Sequence, residues 1–143
     1  MNYVGGPTAS AINGLLYAAA AVQGHLEARL SPLGLSLPKL MALTALSEAG
    51  DSLPLSQLAE RLSCVKSNIT QLVDRLETDG FVRRESDLRD RRSRVAVLTT
   101  AGRAACNQGR QVRADAEREL LTGFTEDDAA QLKALMERLA QRA

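Results

Sequence analysis

Between Lys66 and Thr78 the polar side chains fall where they would share one face of a helix. Ile69, Leu72, Val73 and Leu76 are spaced i, i+3, i+4, i+7, a single apolar stripe at the 3.6-residue period. With about 100 degrees between successive residues, Ser67, Thr70, Gln71, Asp74 and Thr78 lie on the other side. Lys66 stands at the N-terminal edge of that face and Arg75 on its flank. Hydroxyls and a carboxamide donate and accept at base edges, and an ammonium or guanidinium meets phosphate. Such a face could read a groove of double-stranded DNA while the stripe stays in a core. A solvated helix face would carry the same residue types, so the segment that follows decides between the two. There Arg83, Arg84, Arg89, Arg91, Arg92 and Arg94 stand against Glu85, Asp87 and Asp90, six positive charges to three negative in twelve residues. An arginine excess of this kind on a projecting loop suits phosphate contact or entry into a minor groove. Asp90, beside Arg91 and Arg92, reads as a support that orients a guanidinium, because a carboxylate facing phosphate is repulsive.

The elements needed to present these groups are legible around them. Leu58, Ala59 and Leu62 recur at helical spacing after Ser56, which would cap a short helix ending near Ser63. Asp79-Gly80 closes the second helix, Gly80 being a natural left-handed exit. Phe81 and Val82 then open an extended run that returns as Val95, Val97 and Leu98, so the arginines sit at the tip of a hairpin. Leu53 to Leu55 would be a short strand against that hairpin, with Pro54 favouring an edge or boundary position.

The run LAERLSCVKSNITQLVDRLETDGFVRR, followed by DRRSRVAVLTTAG, resembles the DNA-binding domain of the MarR family of bacterial transcriptional regulators. The aspartate-arginine-arginine tip and the leucine-threonine-x-alanine-glycine exit carry the resemblance. It implies a mainly α fold with a small β-hairpin wing: a winged helix-turn-helix plus a helical dimerisation region. It also implies a homodimer reading a pseudo-palindromic operator, often as a repressor. By the same resemblance Lys66, Ser67, Asn68, Thr70 and Gln71 fall on the recognition helix, and Asp90, Arg91 and Arg92 at the wing. Val65 departs from the family pattern, which usually has serine there; Ser67 or Cys64 would then cap the first turn.

Composition bounds the alternatives. The chain has 143 residues, 45% of them hydrophobic, with 18 basic and 17 acidic side chains. Overall basicity therefore offers no argument for nucleic acid, and the case rests on where the charges lie. No run approaches the roughly 20 apolar residues that cross a bilayer, and the N-terminus lacks a charged region followed by a signal core, so a cytoplasmic protein is expected. Cys64 and Cys106 match no spaced metal motif, and no cofactor signature is present. An enzyme would need a nucleophile, a base and a positioning group; one histidine and two isolated thiols have no spacing that assembles them. A winged-helix protein-interaction module is the better rival, and the arginine wing argues against it.

Residues 1–10 are rich in Gly, Pro and Ser and read as a loose arm. From Ala11 to about Leu30, Ile12, Leu15, Leu16, Ala19, Val22, Leu26 and Leu30 form the stripe of a packing helix, with His25 about 110 degrees from its centre. A second helix starts near Pro38, carries Leu40, Met41, Leu43, Thr44 and Leu46, and ends at Gly50. After the hairpin, Thr99 or Thr100 would cap a long helix to Leu121. Its stripe of Ala101, Ala105, Val112, Ala116 and Leu120 is thin, and Gly102, Asn107 and Gly109 weaken it, so it reads as a spine. Thr125 and Asp128 have capping-box spacing before a last helix with Leu132, Leu135, Met136 and Leu139 on one face. The expected division is 1–35, an arm and dimerisation helix; 36–99, the winged DNA-binding domain; and 100–143, C-terminal dimerisation helices.

Two sensors are open. The resemblance implies release by a small phenolic or aromatic effector bound between the winged domain and the dimer region. Tyr17, His25, Leu40, Met41 and Thr44 would line that crevice. Alternatively Cys64, at a helix N-terminus near Lys66, would act as a redox switch on the reading helix; a small packing residue is the plainer role for it and for Cys106. Family members that sense peroxide carry their cysteine in the first helix, which has none here.

Overall fold

The computed structural model describes residues 7–63, 66–90 and 92–143, the side chains of 7–9, 66 and 67 excepted. In chain order the elements are α1 (Pro7–Leu30), a 3-10 turn (Ser31–Leu33), α2 (Leu37–Glu48), β1 (Ser52–Pro54), α3 (Leu55–Arg61), α4 (Lys66–Thr78), β2 (Val82–Ser86), β3 (Arg94–Leu98), α5 (Thr100–Leu120) and α6 (Glu126–Ala140). The three strands form one antiparallel sheet in the order β1-β3-β2, with Leu53 opposite Ala96, Val82 opposite Leu98 and Ser86 opposite Arg94.

The core lies where α2, α3, α4 and the sheet converge. Ile69, Val73 and Leu76 of α4 are fully buried with Leu40, Leu43 and Leu46 of α2, Leu58 of α3, and Val82, Ala96 and Leu98 of the hairpin. Each such aliphatic side chain contributes about 1.5–3 kcal/mol by leaving water, so the α4 stripe alone holds the reading helix firmly. α2 begins as its sequence requires: the Ser36 hydroxyl accepts the Lys39 amide at 3.3 Å and Pro38 stands in the first turn, where its missing N–H costs nothing. α4 ends in a double hydrogen bond around Gly80, at φ 79°: Phe81 N–H to Leu76 O at 2.9 Å and Gly80 N–H to Glu77 O at 3.0 Å. The same motif closes α2, with Asp51 N–H on Leu46 O at 2.8 Å.

Five sequence expectations are corrected. Residues 7–10, expected in a loose arm, already belong to α1, and residues 1–6 of that expected arm lie outside the described residues. Ser56 does not cap α3: the helix starts two residues earlier, straight from β1, with Pro54 at the cap and no side-chain bond. The predicted strand at Leu53 to Leu55 runs instead from Ser52 to Pro54, against β3. The α1 stripe packs only at its C-terminal end. Leu26 and Leu30 are buried, whereas Ile12, Leu16 and Val22 are exposed, Leu16 at 63%, since no element among the described residues covers them.

The fifth correction concerns α5. Its inner face is made of Gly102, Ala105, Cys106, Gly109 and Ala116, all buried, while Ala101 is exposed. The glycines that weaken the helix are contacts: a Cβ on Gly102 would overlap the Phe81 carbonyl oxygen, and one on Gly109 would stand 2.7 Å from Leu35 Cδ1. Thr99 pins the same junction. Its side chain accepts the Gly102 amide at 3.0 Å and donates to Gly80 O at 2.7 Å, and its own N–H donates to Phe81 O at 3.1 Å. Cys106 is fully buried, its Sγ 3.8 Å from Thr44 Oγ1, as a small packing residue would be. The Thr125–Asp128 capping box is complete, yet α6 buries no residue and leaves Leu132, Leu135, Met136 and Leu139 exposed. No helix among the described residues is long and apolar enough to cross a membrane.

Candidate nucleic-acid interface

With its stripe buried, α4 turns Asn68, Thr70, Gln71, Asp74, Arg75 and Thr78 to solvent. The side chains of Lys66 and Ser67, and all of Cys64, Val65 and Arg91, lie outside the described residues, so the first-turn cap and the thiol next to it are known from sequence only. Beside α4 stands the β2–β3 hairpin, and its arginines divide into two sets. Arg83 and Arg84 are strand residues and not part of the tip. Arg83 pairs with Glu85 at 2.7 Å, and Arg84 is turned onto α4, 2.6 Å from Asp74 and 3.1 Å from Glu77. Arg84 also donates to Thr70 O at 3.2 Å, so it fastens the wing to the recognition helix.

The second set is Arg75, Arg89, Arg92 and Arg94, all exposed and none in an ion pair with a described residue. Arg94 is the first residue of β3; Arg89 and Arg92 belong to the tip. Asp90 bonds no guanidinium among the described residues. Its Oδ1 accepts the Arg92 amide at 3.0 Å and its Oδ2 the Ser93 hydroxyl at 3.3 Å, the local turn that aspartate favours.

The expected effector crevice is only partly assembled. Met41 and Thr44 line an open cleft of about 470 Å³ together with Ala45, Glu48, Arg61, Leu62 and Arg113. Its walls are α2, the end of α3 and the middle of α5, not α1. Tyr17 is exposed elsewhere on α1, and Leu40 is fully buried in the core. His25 faces α5, its Nε2 3.2 Å from Glu119 Oε2. Arg29 donates to both oxygens of the same carboxylate at 2.6 and 2.8 Å, which holds the Glu119 carboxyl below its ordinary value. His25 is thus half of a latch between α1 and α5. Arg61 and Arg113 were missed by sequence reading; no local pattern marks arginines that meet only when three helices pack.

Within the winged unit Lys39 of α2 pairs with Asp79 at the end of α4 at 2.8 Å, and two further latches tie that unit to α5: Arg110 to Glu48 at 3.3 Å, and a close pair between Arg103 and Asp51.

Comparison with known proteins agrees with this geometry. The MarR family model matches residues 35–93. The chain is 32% identical to the HTH-type transcriptional repressor Rv2887 of Mycobacterium tuberculosis over 126 residues, 87% of this chain and 90% of that protein. It is also 32% identical to the multiple antibiotic resistance protein MarR of Escherichia coli over 111 residues, covering 77% and 76% of the two chains. A crystal structure of a mutant Escherichia coli MarR complexed with operator DNA superposes with a TM-score of 0.80 at 27% identity, covering 90% of this chain and 92% of that one. A stripe-anchored helix, an arginine wing locked beside it and relatives of nearly full length lead to one assignment: the chain belongs to the MarR family of winged helix-turn-helix, DNA-binding transcriptional regulators.

Proposed function

We propose that the protein is a homodimeric repressor that reads a pseudo-palindromic operator in double-stranded DNA and is released by a small aromatic or phenolic anion. The observation that carries the reading is the pairing of an exposed polar face on α4 with a wing whose Arg89, Arg92 and Arg94 are exposed and in no ion pair with a described residue. In this reading Gln71, Thr70, Asn68 and Ser67 meet base edges in a major groove, while Lys66, Arg75, Arg89, Arg91, Arg92 and Arg94 meet phosphate or the adjacent minor groove. Repression is the activity named for the relative Rv2887, and operator DNA is the partner crystallised with the Escherichia coli relative.

The bare apolar faces of α1 and α6 supply the argument for a second copy. Ile12, Leu16, Val22, Leu132, Leu135, Met136 and Leu139 would leave water only against another chain. Segments 1–35 and 100–143 then pair around a two-fold, and the winged segments 36–99 project from it. Two α4 helices would lie about 34 Å apart, one turn of DNA, or a multiple of that. The effector site is the Met41–Thr44 cleft, where a carboxylate or phenolate would meet the Arg61 guanidinium and the terminal nitrogens of Arg113, whose Nε is held by Glu117 at 2.9 Å, with Glu48 as the opposing charge in the lining.

A duplex selected from a randomised pool tests the reading in one titration series. Gln71→Ala should cost about 1–3 kcal/mol on the selected duplex and relax discrimination there, whereas Arg75→Ala should weaken all sequences alike and lower the salt slope by about one. Equal losses on selected and random DNA for Gln71→Ala would remove its reading role, and an Arg91→Ala/Arg92→Ala protein that binds like the parent would remove the wing. Footprints taken with and without a panel of phenolic anions check release; Arg113→Ala should abolish any such response.

A further inference from the structure

The wing tip carries one apolar side chain among its charges. Leu88 is fully exposed, whereas Val82, Val95, Ala96, Val97 and Leu98 of the same hairpin are buried or half-buried. The turn beneath it is pinned. Asp87 N–H donates to Ser93 O and Ser93 N–H to Asp90 O, both at 3.0 Å, while the Asp87 carboxylate accepts the Arg89 amide at 2.9 Å and the Asp90 carboxylate the Arg92 amide at 3.0 Å. Both carboxylates of the tip are taken up by the loop's own amides. Leu88 stands fully exposed between Asp87 and Arg89 in this turn, with Arg92, also exposed, four residues on.

We propose that Leu88 is a specificity-determining wedge that enters the minor groove and partly unstacks a base step while the neighbouring arginines hold the flanking phosphates. The inference rests on the reading of the wing as a DNA contact. A leucine adds nothing to phosphate attraction, and on a tip approaching DNA its favourable contacts are with sugar and base edges. The minor groove, about 6 Å wide, admits a single side chain where it would exclude a strand. Apolar wedges flanked by cations open such steps, and pyrimidine-purine steps open most readily. Leu88 would therefore favour operators with a flexible step beneath the wing, a preference that hydrogen-bond readout by α4 does not supply.

The test uses the full chain and a duplex selected by the parent from a randomised pool, with 2-aminopurine walked through the wing-proximal steps. Leu88→Ala should weaken binding on the order of tenfold, leave the salt slope unchanged and abolish the rise in 2-aminopurine fluorescence; Leu88→Met should keep both. Because Leu88 is fully exposed, a folding defect does not confuse the result. Arg92→Ala is the reference, expected to lower the salt slope by about one. If Leu88→Ala binds and opens DNA as the parent does while Arg92→Ala is weakened, the wedge is wrong and the DNA-contacting wing stands. If both variants bind like the parent, the wing reading fails and the wedge with it.

Discussion

Replacing Gly102 by alanine is expected to destabilise the protein by roughly 3 kcal/mol, although helix propensity alone would favour the change by about 1 kcal/mol. The clash decides the sign. A Cβ at position 102 overlaps the Phe81 carbonyl oxygen, stands 2.8 Å from its carbonyl carbon and 2.9 Å from Leu98 Cδ1. A backbone carbonyl cannot rotate away as a side-chain end can, and this one also accepts the Thr99 amide. Relief requires α5 to lift from the turn that joins α4 to the wing. Melting of Gly102→Ala should fall by about 10 °C, and a melting temperature at or above the parent's would refute the account. Gly109→Ala sets the scale: its new methyl meets only the ends of Leu35 and Leu40, so a cost nearer 1 kcal/mol is expected.

That junction also explains what the sequence could and could not reveal. The α4 stripe was legible because Ile69, Val73 and Leu76 carry both the period and the apolar character of a buried face, and all three are fully buried. The hairpin was legible for a similar reason, since Gly80 and the alternation around Val95 mark its two ends. In α5 the same rules mislead: glycine signals weakness to a propensity argument, while its actual cause is an approach too close for a methyl group. The first turn of α1 was hidden by composition, since Gly, Pro and Ser suggest a loose arm although proline is well placed at a helix start. The effector cleft was the least legible. Periodicity says which way a side chain leaves its own helix, but Arg61 and Arg113 meet only through the packing of α3 and α5 against α2.

Arg84 was the most consequential misreading, because counting it as a tip charge concealed a positioning role with a large predicted effect. Its side chain is only 19% exposed, held 2.6 Å from Asp74 and 3.1 Å from Glu77 and donating to Thr70 O, while its backbone amide donates to Glu77 Oε2 at 3.1 Å. Both carboxylates sit on α4, next to the residues proposed to meet DNA. Arg84→Ala would release the wing from α4 and leave two uncompensated negative charges near phosphate. Asp74 and Glu77 are themselves 59% and 44% exposed, so each ion pair contributes at most about 1 kcal/mol, and operator affinity should fall about tenfold, near 1.4 kcal/mol. Two companions separate geometry from charge. Arg84→Lys keeps the charge without the planar fork, and should recover only part of the loss. Adding Asp74→Asn and Glu77→Gln to Arg84→Ala removes the repulsion without restoring the tether; recovery there measures the electrostatic share, and the remainder is positioning. Full operator affinity in Arg84→Ala, with the fold intact by circular dichroism, would mean that core packing alone sets the angle between wing and recognition helix.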